Sequence, residues 1–402
     1  MHGAPFRTGP ANRTSDYCRH IAGAGQGGAS VAVVAHPPRR LLDASRAPIS
    51  PVAREALLAA LDEGWADPRR LHAEGRRARA LLDGAREAVA TVVGARPDEL
   101  SFAPSATLAR QLGLLGLLHG RRRVGAHLVV SAVEHSALLH TAQWHPGQTS
   151  VVGVDGLGRV DLAAFGAAVA VPGTAAACLQ AANAEVGTRQ PVAAASDLCG
   201  PVPLLVDASG VIGREDPPTA WDVLTADAVA WGGPGIGVLA VRTGVRWRSA
   251  GPQDESEQGR VPGEVDVPVV LAAAAGLLDA EARRRDRADA ARRLVDRIRR
   301  LRVDDVIAVG DPDDRLPHVL TLSTPYVDGE TLADGLDRRG IAVASGSACT
   351  ASTLAPSHVL EAMGVLSHGS VRVTLPLDPV AEDVEALCAA LPSVMAEAQH
   401  PG

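Results

Sequence analysis

The stretch Ser345-Gly346-Ser347-Ala348-Cys349-Thr350 holds the side chain best able to do chemistry on its own, the thiol of Cys349. It follows a strand-like apolar run, Ile341-Ala342-Val343-Ala344, and precedes a turn that opens a helix near His358. Gly and small residues let such a loop bend and leave the thiol uncrowded. A thiol placed there can attack a reacting centre and carry a group away. The competing reading is a small buried apolar residue, since many free cysteines are inert.

Three further positions stand where strands give way to helices or turns. His135, in Glu134-His135-Ser136-Ala137, follows the run His127–Val133. It can stack on a ring or move a proton, or it can merely cap the next helix. Asp207 ends Leu204-Leu205-Val206 and can pair with a ring nitrogen, keeping it protonated, or cap a turn. Ser105 and Thr107 open a helix after Leu100–Pro104. Free N–H groups and a positive dipole end suit such a start to an anion such as phosphate. Plain N-capping is the alternative.

The elements that must position these residues alternate. Apolar runs at 127–133, 175–182, 204–206, 226–230 and 238–241 are separated by stretches able to hold helices. In open α/β sheets ligands gather at the carboxyl ends of the strands. The expectation is an α/β fold with a large doubly wound, mostly parallel sheet and a smaller C-terminal α/β domain. The chain is expected to divide into a disordered extension (1–28) and a segment packing with the small domain (29–65). A large domain (66–260) and a small domain carrying Cys349 (261–402) follow. One long helix is expected from Val267 to about Leu301, and a strand over Val303–Val309. Trp231–Gly237 lacks the Lys-Ser/Thr of a phosphate loop and reads as a tight hairpin.

With 402 residues, 46% hydrophobic and 21% charged, the chain is long enough for a large core. A net charge of −7 argues against a nucleic-acid surface. The five Cys are scattered without a Cys-x-x-Cys pair, which fits neither a disulfide framework nor a zinc site and suits a reducing cytoplasm. No apolar run reaches the length of a membrane span. All 39 basic residues are Arg; the chain contains no lysine, and so no side-chain amine able to form a Schiff base.

These marks, in this order, resemble the cysteine desulfurases of the NifS/IscS type, within the class V aminotransferase family of fold-type-I pyridoxal-phosphate enzymes. The resemblance runs from about Leu41 to Ala396. It is carried by Ala344–Ser352 with Pro356-Ser357-His358-Val359-Leu360, by Glu134–Ala137, and by Glu185-Val186-Gly187-Thr188 with Gln190-Pro191. Val206-Asp207-Ala208 and Ser370-Val371-Arg372 complete the set. It implies pyridoxal phosphate as electron sink, L-cysteine as substrate, a sulfur-acceptor protein as partner, and a homodimer or a heterodimer with a paralogue. It implies that Cys349 is the nucleophile and persulfide carrier, and that His135 stacks on the ring and assists proton transfer. In the same way Asp207 pairs with the pyridine nitrogen, Thr107 holds phosphate, and Arg372 clamps the substrate carboxylate.

The departures cluster on the cofactor. The Ser-x-His-Lys that precedes the family's Gly-Pro turn is missing from Asp227–Pro234, and with it the lysine that holds the coenzyme. Ala184 replaces an Asn, Gly210 replaces a Gln, and Leu108-Ala109-Arg110-Gln111 replaces Glu-Ala/Ser-Asn-Asn. Glu264 falls where a neighbouring subunit contributes a phosphate-binding Thr. Any coenzyme is therefore expected to be non-covalent, and turnover severely reduced. The chemistry leaves three readings: a desulfurase working without a covalent anchor, a persulfide relay through Cys349, and a non-catalytic partner or regulator of an active desulfurase.

Overall fold

A computed structural model describes residues 39–346, 357–365 and 369–399. The expected extension at 1–28 and the Cys349 thiol lie outside the described residues.

Helix α1 (Pro51–Glu63) starts as its sequence dictates: Ser50 Oγ accepts from the Ala53 N–H at 3.2 Å, with Pro51 at the first helical position. Helix α2 (Ala73–Val93) ends on Gly94, whose φ of 69° suits a residue without a side chain. Then follow β2 (Leu100–Ala103), α3 (Ala106–Gly120), β3 (His127–Ser131), α4 (Ser136–Trp144), β4 (Thr149–Val152), α5 (Leu162–Val169) and β5 (Thr174–Cys178). After α6 (Val192–Cys199) come β6 (Leu204–Asp207), β7 (Val223–Asp227) and β8 (Gly237–Val241).

These strands form one seven-stranded sheet in the order β2-β8-β7-β6-β5-β3-β4. The pairs from β4 across to β7 are parallel, and β8 runs antiparallel to both its neighbours. The expected doubly wound, mostly parallel sheet is present, and β7 and β8 are joined through the predicted Gly-rich turn. Alternation along β6 shows why the interior strands are apolar throughout: Leu204 and Val206 pack into the core on one side, Leu205 into the core on the other.

The small unit has a four-stranded sheet in the order β12-β13-β10-β9, built from β9 (Ile307–Val309), β10 (Val319–Thr324), β12 (Ala344–Ser345) and β13 (Gly369–Thr374). Residues 40–41 (β1) pair in parallel with β11 (Ile341–Ala342). Helices α9 (Gly329–Asp337), α10 (His358–Ala362) and α11 (Ala381–Gln399) complete it.

Three expectations change. The long helix breaks at Arg283 (φ −115°, ψ 11°) into α7 (Val267–Ala282) and α8 (Arg284–Arg299). Apolar residues of α7, among them Val267, Val270, Ala273 and Leu277, join the core of the large sheet, whereas Ala291, Val295 and Ile298 of α8 join that of the small one. The change of core thus falls well after residue 261. The strand expected over Val303–Val309 shortens to β9, because Asp305 takes a left-handed φ of 59°. The apolar run Ile341–Ala344 is split at Val343, its halves pairing in different sheets.

Candidate functional site

Asp207 closes β6 and lies at the centre of the site. Its side chain is buried, and burial pushes its carboxyl up; the charges of Arg110 and His135 together with the hydrogen bonds from Ser209 and Arg110 outweigh burial and hold it below the ordinary value. Arg110 Nε donates to Asp207 Oδ2 at 2.7 Å, and Arg110 Nη2 donates to Ser209 Oγ at 2.8 Å. Ser209 Oγ in turn donates to Asp207 Oδ1 at 2.6 Å, joined there by the Ser209 N–H and Thr225 Oγ1, each at 3.2 Å. Four donors therefore meet the carboxylate, three on Oδ1 and the Arg110 guanidinium on Oδ2.

Arg110 is set by α3. That helix is capped by Ser105, whose Oγ accepts from the Leu108 N–H at 3.1 Å. Thr107 lies exposed in the first turn, and Arg110 one turn further on is buried, on the adjoining part of the same face. Gly237 packs against the start of this helix: a Cβ there would meet the Ser105 carbonyl oxygen at 2.4 Å. Asp227 pairs with Gly237 across the β7–β8 hairpin and accepts from the Val229 N–H at 3.1 Å. Burial raises its carboxyl above the ordinary value.

His135 caps α4, its Nδ1 accepting from the Ala137 N–H at 3.0 Å, which places the ring proton on Nε2. Burial, and then the nearby positive charge of Arg110, lower its pKa to about 4, so the ring is neutral at neutral pH. Glu134 beside it is fully buried; one carboxyl oxygen accepts from the Gln180 N–H at 2.8 Å and the other has no partner. Burial pushes its pKa to about 8. On the small unit, Arg372 in β13 stands opposite Ala344 and Thr321, with its Nε unpartnered. It faces the charge of Glu185, a carboxyl that burial raises although Ser357 hydrogen-bonds to it.

The structure thus brings His135 and Asp207 into one electrostatic neighbourhood through Arg110, and sets His358 and Arg372 near Glu185. Sequence motifs sort into two kinds. Gln190 is structural, with its Oε1 accepting from the Val160 N–H at 2.9 Å and its Nε2 donating to the Gly158 carbonyl at 2.6 Å. Asn183 likewise turns its own chain, accepting from the Glu185 and Val186 N–H groups. Glu264 is exposed and accepts from Arg69 Nη2 at 2.7 Å. Sequence reasoning noted Arg110 only as a departure from a motif. A lone Arg one turn after Thr107 on an otherwise apolar helix was the available signal, because a buried guanidinium requires a carboxylate. A cavity of about 860 Å³ lined by Arg189, Arg214, Glu215 and Arg292 lies elsewhere, and neither Thr107, His135, Asp207 nor Arg372 borders it.

Residues 41–251 and 265–387 match the class-V aminotransferases, and the chain belongs to that family. It is 31% identical over 365 residues to cysteine desulfurase IscS 1 of Archaeoglobus fulgidus, covering 88% of this chain and 95% of that one. It is 32% identical to a cysteine desulfurase of Cereibacter sphaeroides over 86% of this chain and 93% of that one. Among solved structures, a NifS-like protein superposes with a TM-score of 0.81 at 25% identity, covering 88% of this chain and 98% of the other. DndA from Streptomyces lividans does so with a TM-score of 0.70 at 26% identity, over 86% and 99%. The NifS/IscS-like resemblance and the fold-type-I architecture are therefore established.

Pyridoxal phosphate, on which this family depends, does not fit the residues present. The charge of Asp207 is already balanced by the buried Arg110 guanidinium, which a protonated pyridine ring would have to displace, and the chain offers no lysine to anchor the coenzyme.

Proposed function

We propose that this desulfurase-like protein moves sulfur by relay, with Cys349 as the carrier, rather than extracting it from L-cysteine. The observation that supports this reading most is the anchoring of the segment that contains Cys349. On one side the Gly346 N–H donates to the Ser370 carbonyl at 2.6 Å; on the other, His358 bonds to the Glu134 carbonyl at 3.0 Å. One end is fixed on β13 and the other beside His135, while the residues that would hold a coenzyme are committed elsewhere.

In this reading the Cys349 thiolate attacks the terminal sulfur of a donor persulfide. The donor's S–S bond breaks, its thiolate leaves, and a new S–S bond forms on Cys349, with no net oxidation. A second thiol then takes the sulfur by the same exchange. Arg372 serves as carboxylate anchor, and His135, its Nδ1 held by the Ala137 N–H, offers its Nε2 proton as a neutral hydrogen-bond donor. The donor is an active desulfurase or a small persulfide, and the exposed Leu61 and Trp65 support pairing with a second chain.

Mass spectrometry of the intact protein after incubation with an active desulfurase and cysteine tests the reading. A gain of one sulfur, lost in Cys349→Ser, is expected. A Cys349 that never gains sulfur overturns it.

A further inference from the structure

Deepening that reading, we infer that Arg110 is a built-in occupant of the coenzyme-ring position, placed so that the cleft is complete without pyridoxal phosphate. A protonated ring nitrogen brings a positive charge for a carboxylate to balance. Asp207 already has one: the Arg110 guanidinium donates from Nε to Oδ2, while Ser209 and Thr225 hold Oδ1. The pair is buried on both sides, with side chains 5% and 6% exposed. A guanidinium cannot shed its proton to make way, so a ring that displaced it would leave a charge buried without a partner.

Nor can Arg110 swing aside with its helix. On α3, Ala109, Leu114 and Leu117 are packed in the core between helix and sheet, and a Cβ on Gly113 would meet Leu205 and Leu239 at 3.0 and 3.2 Å. The backbone that carries Arg110 is locked against the strands that carry Asp207.

Equilibrium dialysis of pyridoxal phosphate against the wild-type chain, Arg110→Asn and Arg110→Ala tests this, with thermal unfolding in parallel. Without lysine, background adducts are confined to the α-amino group. The wild type is expected to retain no coenzyme above that background and to show no rise in Tm. The variants should bind at least tenfold more tightly and gain Tm when the coenzyme is added. Should a variant not fold alone, refolding with the coenzyme should raise its soluble yield. A wild-type Tm raised by pyridoxal phosphate overturns the inference, as do variants that neither bind it nor are rescued by it. Either failure leaves sulfur loading of Cys349 to be judged on its own mass spectrum.

Discussion

His358 Nε2 lies 3.0 Å from the backbone carbonyl oxygen of Glu134, tying the first residue of α10 to the turn between β3 and α4. A carbonyl only accepts, so the imidazole donates and its proton sits on Nε2. Apolar contacts reinforce the tie, since Val359, Leu360 and Met363 pack with Val133 and Val186. His358→Ala should therefore keep the fold while lowering stability by about 1 kcal/mol. Urea unfolding measures that loss. The same variant should load sulfur on Cys349 more slowly, because one anchor of its segment is gone; unchanged loading would make the tie purely structural.

Glu134 makes stability depend on pH. Its carboxyl titrates near 4.5 in the unfolded chain and at about 8 in the folded one, because burial disfavours the charge. Between those values the folded state holds more protons than the unfolded, so stability falls as pH rises through the window. The slope from this group is at most about 1.4 kcal/mol per pH unit. Glu134→Gln, which keeps an oxygen for the Gln180 N–H, should remove that component. Urea unfolding at several pH values should show the variant gaining on the wild type as pH rises; parallel profiles would place the proton elsewhere.

A second buried pair fixes the segment that leads into α7. Arg86 donates from both terminal nitrogens to Glu257, at 2.6 and 2.7 Å, and Glu257 also accepts from the Phe102 N–H at 2.6 Å. Glu257 and Gln258 take left-handed φ values of 45° and 55°, which L-residues adopt only when tightly held. Glu257→Ala leaves Arg86 buried without its carboxylate and should cost about 3–5 kcal/mol. Chemical denaturation measures the loss, and a change under 1 kcal/mol would show that water reaches the pair.

Local chemistry in the sequence made much of this legible. The Ser50-Pro51 helix start, the alternating apolar runs and the Asp207 strand end all signal structure through rules that act within a few residues. What escaped depends on distant partners. The break at Arg283 follows from two cores competing for one helical run, with Leu277 drawn to the large sheet and Val295 to the small one. Arg110 and Asp207 are 97 residues apart, and neither residue alone signals the other. Glu185 and Arg372 were legible as motifs, but their missing hydrogen-bond partners emerge only when the two sheets face each other.

The central claim is that the protein carries sulfur without releasing it from cysteine. Amino-acid analysis of alanine formed from L-cysteine by the purified chain, with added pyridoxal phosphate, tests it most directly. The account predicts no alanine beyond that formed by the coenzyme alone, at any coenzyme concentration. Catalytic alanine release abolished in Cys349→Ser would contradict it.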